Sequence, residues 1–482
     1  MTLPAAVLVS GLAAGCVETC DSGRDGAPVR DLEELVARYR DDQGHVPNHV
    51  PVLDSSGSFT TASAHGFIDL GNEFFQELGA NGRRCVSCHV PTVGWTVTPA
   101  QLHAAFDRTE GGAYPDELGL GAVFRPVDGA NAPTADVSTL AKRRAAYSVL
   151  LERGLIRIHL PMPANAEFEL VAVDDPYHYA SAAELSLFRR PLPTTNLKFD
   201  STVMWDGREV VAGESVMAEL ETQASDAAVV HAQGAPLPPA VRASIVDFMT
   251  SLATAQTVDR GGAGKLDRAG AKGGPDAILA QPFYIGINDN FGDSRTGAPF
   301  SPIVFTVFDA WAHEGTAEGR DEARAAVARG QALFNSKPIA ITGVSGINDE
   351  SAFGNPVTLA GTCTTCHDTP NGGNHSVVAP LNIGLVDESR RTPDLPLYTL
   401  RNKATGELVK VTDPGRALVD GKWSHIGRFK GPMLRDLAPR APYFHNGFAA
   451  DLNAVVDFYD DRFSIGLTGQ ERADLVAFLR SL

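Results

Sequence analysis

The chain has 482 residues, room for about two to four domains, and its 43% hydrophobic and 21% charged residues are the proportions of a globular protein with ample core. Its 41 basic against 58 acidic side chains leave a net charge of −17, which argues against nucleic acid or an anionic membrane surface as the main partner. The longest apolar stretch, Leu3 to Cys16, is too short for a membrane-spanning helix, and six cysteines are too few in so long a chain for a disulfide scaffold.

Leu3 to Gly15 is apolar, ends in small residues and reads as an export signal, although it lacks the basic start of such signals. Leu12-Ala13-Ala14-Gly15-Cys16 resembles a bacterial lipoprotein box, with Ala13 where leucine is commoner. Either Cys16 carries a lipid and residues 17–30 form a tether, or the segment is cleaved as a plain signal and Cys16 and Cys20 are removed or pair together. Both readings lead to the periplasm, with the protein soluble or lipid-anchored to the envelope.

Further along, Phe67, Leu70, Phe74, Phe75 and Leu78 recur at helical spacing before Cys85-Val86-Ser87-Cys88-His89. Val241, Ile245, Phe248, Met249 and Leu252 predict a second amphipathic helix. Ala325 to Phe334 predicts a helix ahead of Cys363-Thr364-Thr365-Cys366-His367. Asp451 then reads as the N-cap of a helix whose Leu452, Val455, Val456 and Tyr459 share an inward face. Thr468 with Glu471 makes a capping box, opening a last helix that buries Leu475, Val476, Leu479 and Leu482.

A helix, a Cys-x-x-Cys-His motif, irregular loops and a closing helix thus occur twice. The expected fold is mainly α, with two tandem cytochrome c-type haem domains and long loop insertions. Residues 1–30 are the leader and tether. Residues 31–256 are the N-terminal haem domain, with an insertion at about 135–200. Residues 257–320 are a connecting insertion, and residues 321–482 are the C-terminal haem domain.

Cys-x-x-Cys-His is the attachment pattern of haem c: two cysteines on one turn reach the vinyl groups as thioethers, and the adjacent histidine is directed at the iron. A zinc site would leave both trailing histidines as coincidence, and a redox dithiol would need a βαβ setting that the pattern does not show. Two covalent haems are therefore expected, attached through Cys85, Cys88, Cys363 and Cys366, with His89 and His367 as proximal ligands.

The chain also carries Asn131-Ala-Pro-Thr134, Trp205-Asp-Gly-Arg208 and Phe429-Lys-Gly-Pro-Met-Leu-Arg435 leading to Ala441-Pro-Tyr-Phe-His-Asn-Gly447. With the two haem motifs, in this order, they make it resemble the bacterial dihaem cytochrome c peroxidase and MauG superfamily over most of residues 65–482. The resemblance implies an enzyme in which the N-terminal haem binds and cleaves hydrogen peroxide while the C-terminal haem relays electrons. It implies Trp205 as the relay between them and Gln223 on the distal side of the first haem. Where the peroxidases carry a distal glutamate this chain has His231 and Gln233; His231 is the candidate acid/base, since histidine titrates near neutral pH. His103 is the only candidate before Asn131 for a displaceable distal ligand, and its spacing is loose.

For the sixth ligand of the second haem the family uses methionine or, in MauG, tyrosine, and Tyr459 is the candidate here; Met433 stands at a different motif position, and His445 and His375 are alternatives nearer the propionates. The resemblance further implies a calcium ion held by Asn131 and the carbonyls of Arg440 and Pro442. Expected partners are hydrogen peroxide with a small redox donor, a cytochrome c or cupredoxin, or else an oxidisable protein or organic substrate in a MauG-like reaction. A plain electron carrier is the remaining alternative, and a homodimer is compatible with each.

Overall fold

The computed structural model describes residues 26–312 and 318–482. The leader, with Cys16 and Cys20, lies outside the described residues. Of the expected tether, the described end is docked. Val29 is fully buried, its N–H donates to the Pro51 carbonyl at 2.9 Å, and its own carbonyl accepts from Leu53. Among the described residues no helix is long and apolar enough to cross a membrane.

Four of the five expected helices form. The 241–252 pattern gives Pro239–Ser251, and the 325–334 pattern gives the longer Gly319–Ser336. Asp451 caps Leu452–Phe463 by accepting from the Ala454 N–H, and Thr468 and Glu471 close a reciprocal capping box at the start of Gly469–Arg480.

The helix expected over residues 67–78 does not form. Phe67–Asp69 is instead a short strand paired antiparallel with His45–Pro47, and Glu73–Phe75 is a single 3₁₀ turn. The turn formers between the apolar residues decide this. The Asp69 carboxylate accepts from the Gly71 N–H, and the Asn72 side chain accepts from the Phe74 N–H, so both compete with helical bonding. Phe74 and Phe75 are buried all the same, because the core selects them whatever their backbone does.

Helices are joined by more strand than the helical patterns suggest. Gly57–Ser63 pairs with Leu252–Asp259, bringing the start of the first half against its end. The 135–200 insertion is ordered: it holds the helices Leu140–Ala146 and Ser148–Arg153 and an antiparallel pair of strands, Ile156–Leu160 with Leu185–Arg189. Its strand Phe168–Asp174 adds antiparallel to Leu397–Asn402, which pairs in turn with Leu408–Val411. The insertion therefore stitches the first half of the chain to the second.

Two large cores result. One runs from Val29 to Leu252, and the other collects Phe305, Phe308 and Trp311 with Phe334 and Phe478. Residues 257–320 thus supply core aromatics to the second half, each worth about 1.5–3 kcal/mol when fully buried. Gly319–Ser336 and Gly469–Arg480 cross closely over Gly330, where a Cβ would lie 2.0 Å from the Asp474 carbonyl oxygen. The adjacent Arg329 clamps the Asp474 carboxylate through two hydrogen bonds of 2.8 and 3.0 Å. Gly330→Ala should force the two helices apart and cost about 1–3 kcal/mol, read as a lower denaturant midpoint with the slope unchanged.

Candidate haem sites

The two Cys-x-x-Cys-His motifs fold into the same turn. Cys85–Ser87 and Cys363–Thr365 are each one turn of 3₁₀ helix, and in each the histidine N–H donates back to the first cysteine carbonyl, at 3.0 Å for His89 and 3.2 Å for His367. A hydroxyl closes both turns: Ser87 Oγ accepts from the Arg84 N–H and Thr365 Oγ1 from the Thr362 N–H, each at 3.1 Å. Side chains three apart on a 3₁₀ turn eclipse, so the two sulfurs of each pair project to one side.

None of the four cysteines is in a disulfide. Burial pushes the thiols up, to about 12 for Cys85, Cys363 and Cys366 and about 11 for Cys88. A zinc cluster or a reactive dithiol needs thiolates. Among the described residues no three of His, Cys, Asp or Glu converge where a metal ion would fit.

The histidines are oriented from behind. His367 Nδ1 lies 2.5 Å from the Gly373 carbonyl and His89 Nδ1 3.3 Å from that of Trp95. With Nδ1–H donating, Nε2 is left as the ligating nitrogen. Burial lowers both imidazoles to about 4, so both are neutral near pH 7 as iron ligands must be.

Beside His367 opens a cavity of about 240 Å³. One wall carries Cys363, Cys366 and His367; Phe334, Ile341, Leu381 and Val456 make others apolar; Arg190, Lys430 and Arg440 add three cations. That lining fits a haem c, with sulfur and imidazole at one side, hydrocarbon around the ring and positive charge for propionates. Tyr459 faces this cavity, but Met433 and His445 line it too. His375 does not: it lies 2.8 Å from Asp368 in an adjoining buried polar cluster.

Residues of the first half reach the same cavity. Thr96, Pro191 to Pro193 and Trp205 complete its lining. The Trp205 indole N–H donates to the Arg190 carbonyl at 2.8 Å, and its ring meets His445 edge-on at 6.2 Å. His445 stacks on Phe429 at 4.0 Å. The residue after Trp205 anchors the motif: buried Asp206 accepts from Arg189 at 2.5 Å and from Arg208 at 3.2 Å, while Arg189 also grips Asp413.

At the first turn, His231 ends the helix Val216–Val230, and its Nδ1 lies 2.6 Å from Asp128 Oδ2. Asp128 is buried against Arg83, which also donates to the His231 carbonyl. Burial works against ionising Asp128, but Arg83 and His231 outweigh it and hold the carboxyl well below the usual range. Gln223 is half-buried on the same helix, eight residues earlier and so about 12 Å along its axis. His103 stands apart, half-exposed, with Glu152 at 3.9 Å. Sequence reading missed Arg83 and Asp128. Arg83 two residues before the motif was a signal, but nothing local pairs it with a carboxylate 45 residues on.

Of the three residues that the resemblance gives to calcium, Asn131 and Arg440 have their oxygens already engaged within the protein. The Asn131 amide is spent on its neighbours, accepting from the Val149 N–H at 3.2 Å and donating to Ser148 Oγ at 2.8 Å. The Arg440 carbonyl accepts from the Arg190 guanidinium at 3.0 Å.

No family model matches the chain. Over 136 residues it is 34% identical to the cytochrome-c peroxidase IdrP2 of Denitromonas iodatirespirans, and over 140 residues 30% identical to the cytochrome-c peroxidase IdrP1 of Pseudomonas sp. (strain SCT). Both of these relatives are named cytochrome-c peroxidases. The match takes in 25% of this chain and 36% of each relative, so the chain spans little more than a third of their length. A solved MauG-like protein associated with microbial copper homeostasis aligns at 17% identity over 63% of this chain and 75% of its own, with a TM-score of 0.32. Over the quarter of the chain that is matched, these names agree with the peroxidase side of the resemblance read from the motifs.

Asp206 gives a pH test of this architecture. Burial raises its pKa, but Arg189 and Arg208 outweigh that and bring it down from 3.8 to about 2. Its stabilisation is therefore complete above about pH 4 and is lost as pH falls toward 2. Asp206→Asn leaves Arg189 with Asp413 as its remaining carboxylate; it should cost about 1–3 kcal/mol at neutral pH and flatten the fall of Tm between pH 4 and 2 relative to the wild type.

Proposed function

We propose that this chain is a dihaem c-type peroxidase of the bacterial periplasm, reducing hydrogen peroxide at an N-terminal haem with electrons relayed through a C-terminal one. The observation that carries the reading is the same haem-attachment turn built twice, with Trp205 in the wall of the second cavity. The peroxidase names of the relatives support it. In this reading residues 31–256 and 321–482 are the two haem domains, and the leader exports the chain.

Haem c supplies an iron that exchanges electrons and, with an open position, takes peroxide. The chain's own groups do the rest. His89 and His367 present Nε2 to iron because carbonyls hold Nδ1. His231, its Nδ1–H pinned to Asp128, keeps Nε2 free to take a proton from one peroxide oxygen and return it to the leaving one. Among the described residues Gln223 has no such carboxylate partner, and it orients rather than transfers. Trp205, His445 and Phe429 form an aromatic path beside the second cavity. The electron donor is a small cytochrome c or cupredoxin, and the net charge of −17 favours a basic face on it.

A second reading has its own observation. Tyr459 faces the second cavity, and a phenolate sixth ligand would lower the potential there and favour MauG-like oxidation of a protein or organic substrate over electron uptake.

Steady-state oxidation of reduced cytochrome c by peroxide separates these readings. The peroxidase turns over, and His231→Ala lowers kcat/KM for peroxide by about 10²–10⁴ at unchanged haem content. Turnover that appears only with an organic substrate, together with a low-spin ferric EPR signal altered by Tyr459→Phe and not by Met433→Leu, selects the second reading. Two low-spin haems that ignore cyanide sink both and leave an electron carrier.

A further inference from the structure

Arg190 is buried at the junction of the two halves, and among the described residues it makes no ion pair. Three main-chain carbonyls from three separate segments converge on its guanidinium instead. Nη1 donates to Arg153 at 2.9 Å, and Nη2 donates to Val97 at 2.7 Å and Arg440 at 3.0 Å. Gly154 makes the room. It sits at a φ of +64°, and a Cβ there would stand 2.6 Å from Arg190 Nη1.

Carbonyl oxygens gathered away from water are what a hard cation selects. A guanidinium answers the same oxygens with permanent charge and directed N–H groups. One of the three carbonyls, that of Arg440, belongs to the set that the family resemblance gives to calcium, and the Asn131 amide of that set is engaged elsewhere. The backbone of Arg190 ties this cradle to the aromatic path. Its N–H donates to the His445 carbonyl at 2.7 Å, and its own carbonyl accepts from the Trp205 indole.

We propose that Arg190 is a built-in substitute for a junction calcium: its side chain fills the carbonyl cradle, and the setting of Trp205 against the second half is held without a metal ion. The guanidinium stays charged near neutral pH, since burial and Arg440 lower it only to about 9.

The test reads metal content and Tm on the holoprotein, so it stands or falls separately from the peroxidase reading. Wild-type protein dialysed against calcium chloride and desalted should retain far less than one calcium per chain. Its Tm should be the same in EDTA and in millimolar calcium. Arg190→Ala empties the cradle; its Tm should fall, and millimolar calcium should recover part of the fall. One calcium per wild-type chain, whose removal lowers Tm, would overturn the proposal, and so would an Arg190→Ala variant as indifferent to calcium as the wild type. Should that variant not accumulate, Arg190→Lys keeps the charge and should remain calcium-indifferent; a Tm that rises with calcium in Arg190→Lys would refute the substitution.

Discussion

Arg189 lies between two carboxylates, Asp206 from the first half of the chain and Asp413 from the second, and all three side chains are within 4% of complete burial. Charges so far from water hold only while each keeps its partner, so this cluster fixes three segments at once: the strand Leu185–Arg189, the Trp205 motif and the turn after Leu408–Val411. Trp205 precedes Asp206 directly, and its orientation follows from that anchor as much as from its own hydrogen bond. The consecutive arginines divide the work, Arg189 satisfied by carboxylates and Arg190 by carbonyls. Strong electrostatics are thus spent on the junction, while the cavity beside His367 is left largely to hydrocarbon.

What was legible in the sequence is what short-range chemistry determines. The cysteine spacing makes its turn within five residues, the capping box needs only Thr468 and Glu471, and Asp451 caps its helix from the adjacent position. The apolar pattern over 67–78 was read at the wrong period because the turn formers between those residues weigh as much as the residues themselves. The pairing of Phe168–Asp174 with Leu397–Asn402 crosses more than 200 residues and has no local trace. The same holds for Asp128 beneath His231, whose partners come from distant segments.

The candidate sites divide in the same way. The two Cys-x-x-Cys-His turns were readable because their residues are contiguous. The setting of His231 depends on how a helix end meets a loop, and the structure adds Arg83 and Asp128 there. At the second cavity the inward face of Leu452–Phe463 was readable, but not that Met433 would line the same space as Tyr459. Helical periodicity tells which way a residue points and is silent about what a distant loop brings to meet it.

The strand Phe168–Asp174 has a mechanical consequence. Because the first half contributes a strand to a sheet of the second, and Tyr398 hydrogen-bonds both backbone groups of Ser186 across the same boundary, the halves cannot swing apart as separate bodies without breaking sheet bonds. The spacing between the two Cys-x-x-Cys-His turns is thereby made nearly rigid. If haems occupy both turns, as proposed, the gap between them is set by this frame, and a hinge opening would have to break the sheet pairing of Phe168–Asp174 with Leu397–Asn402.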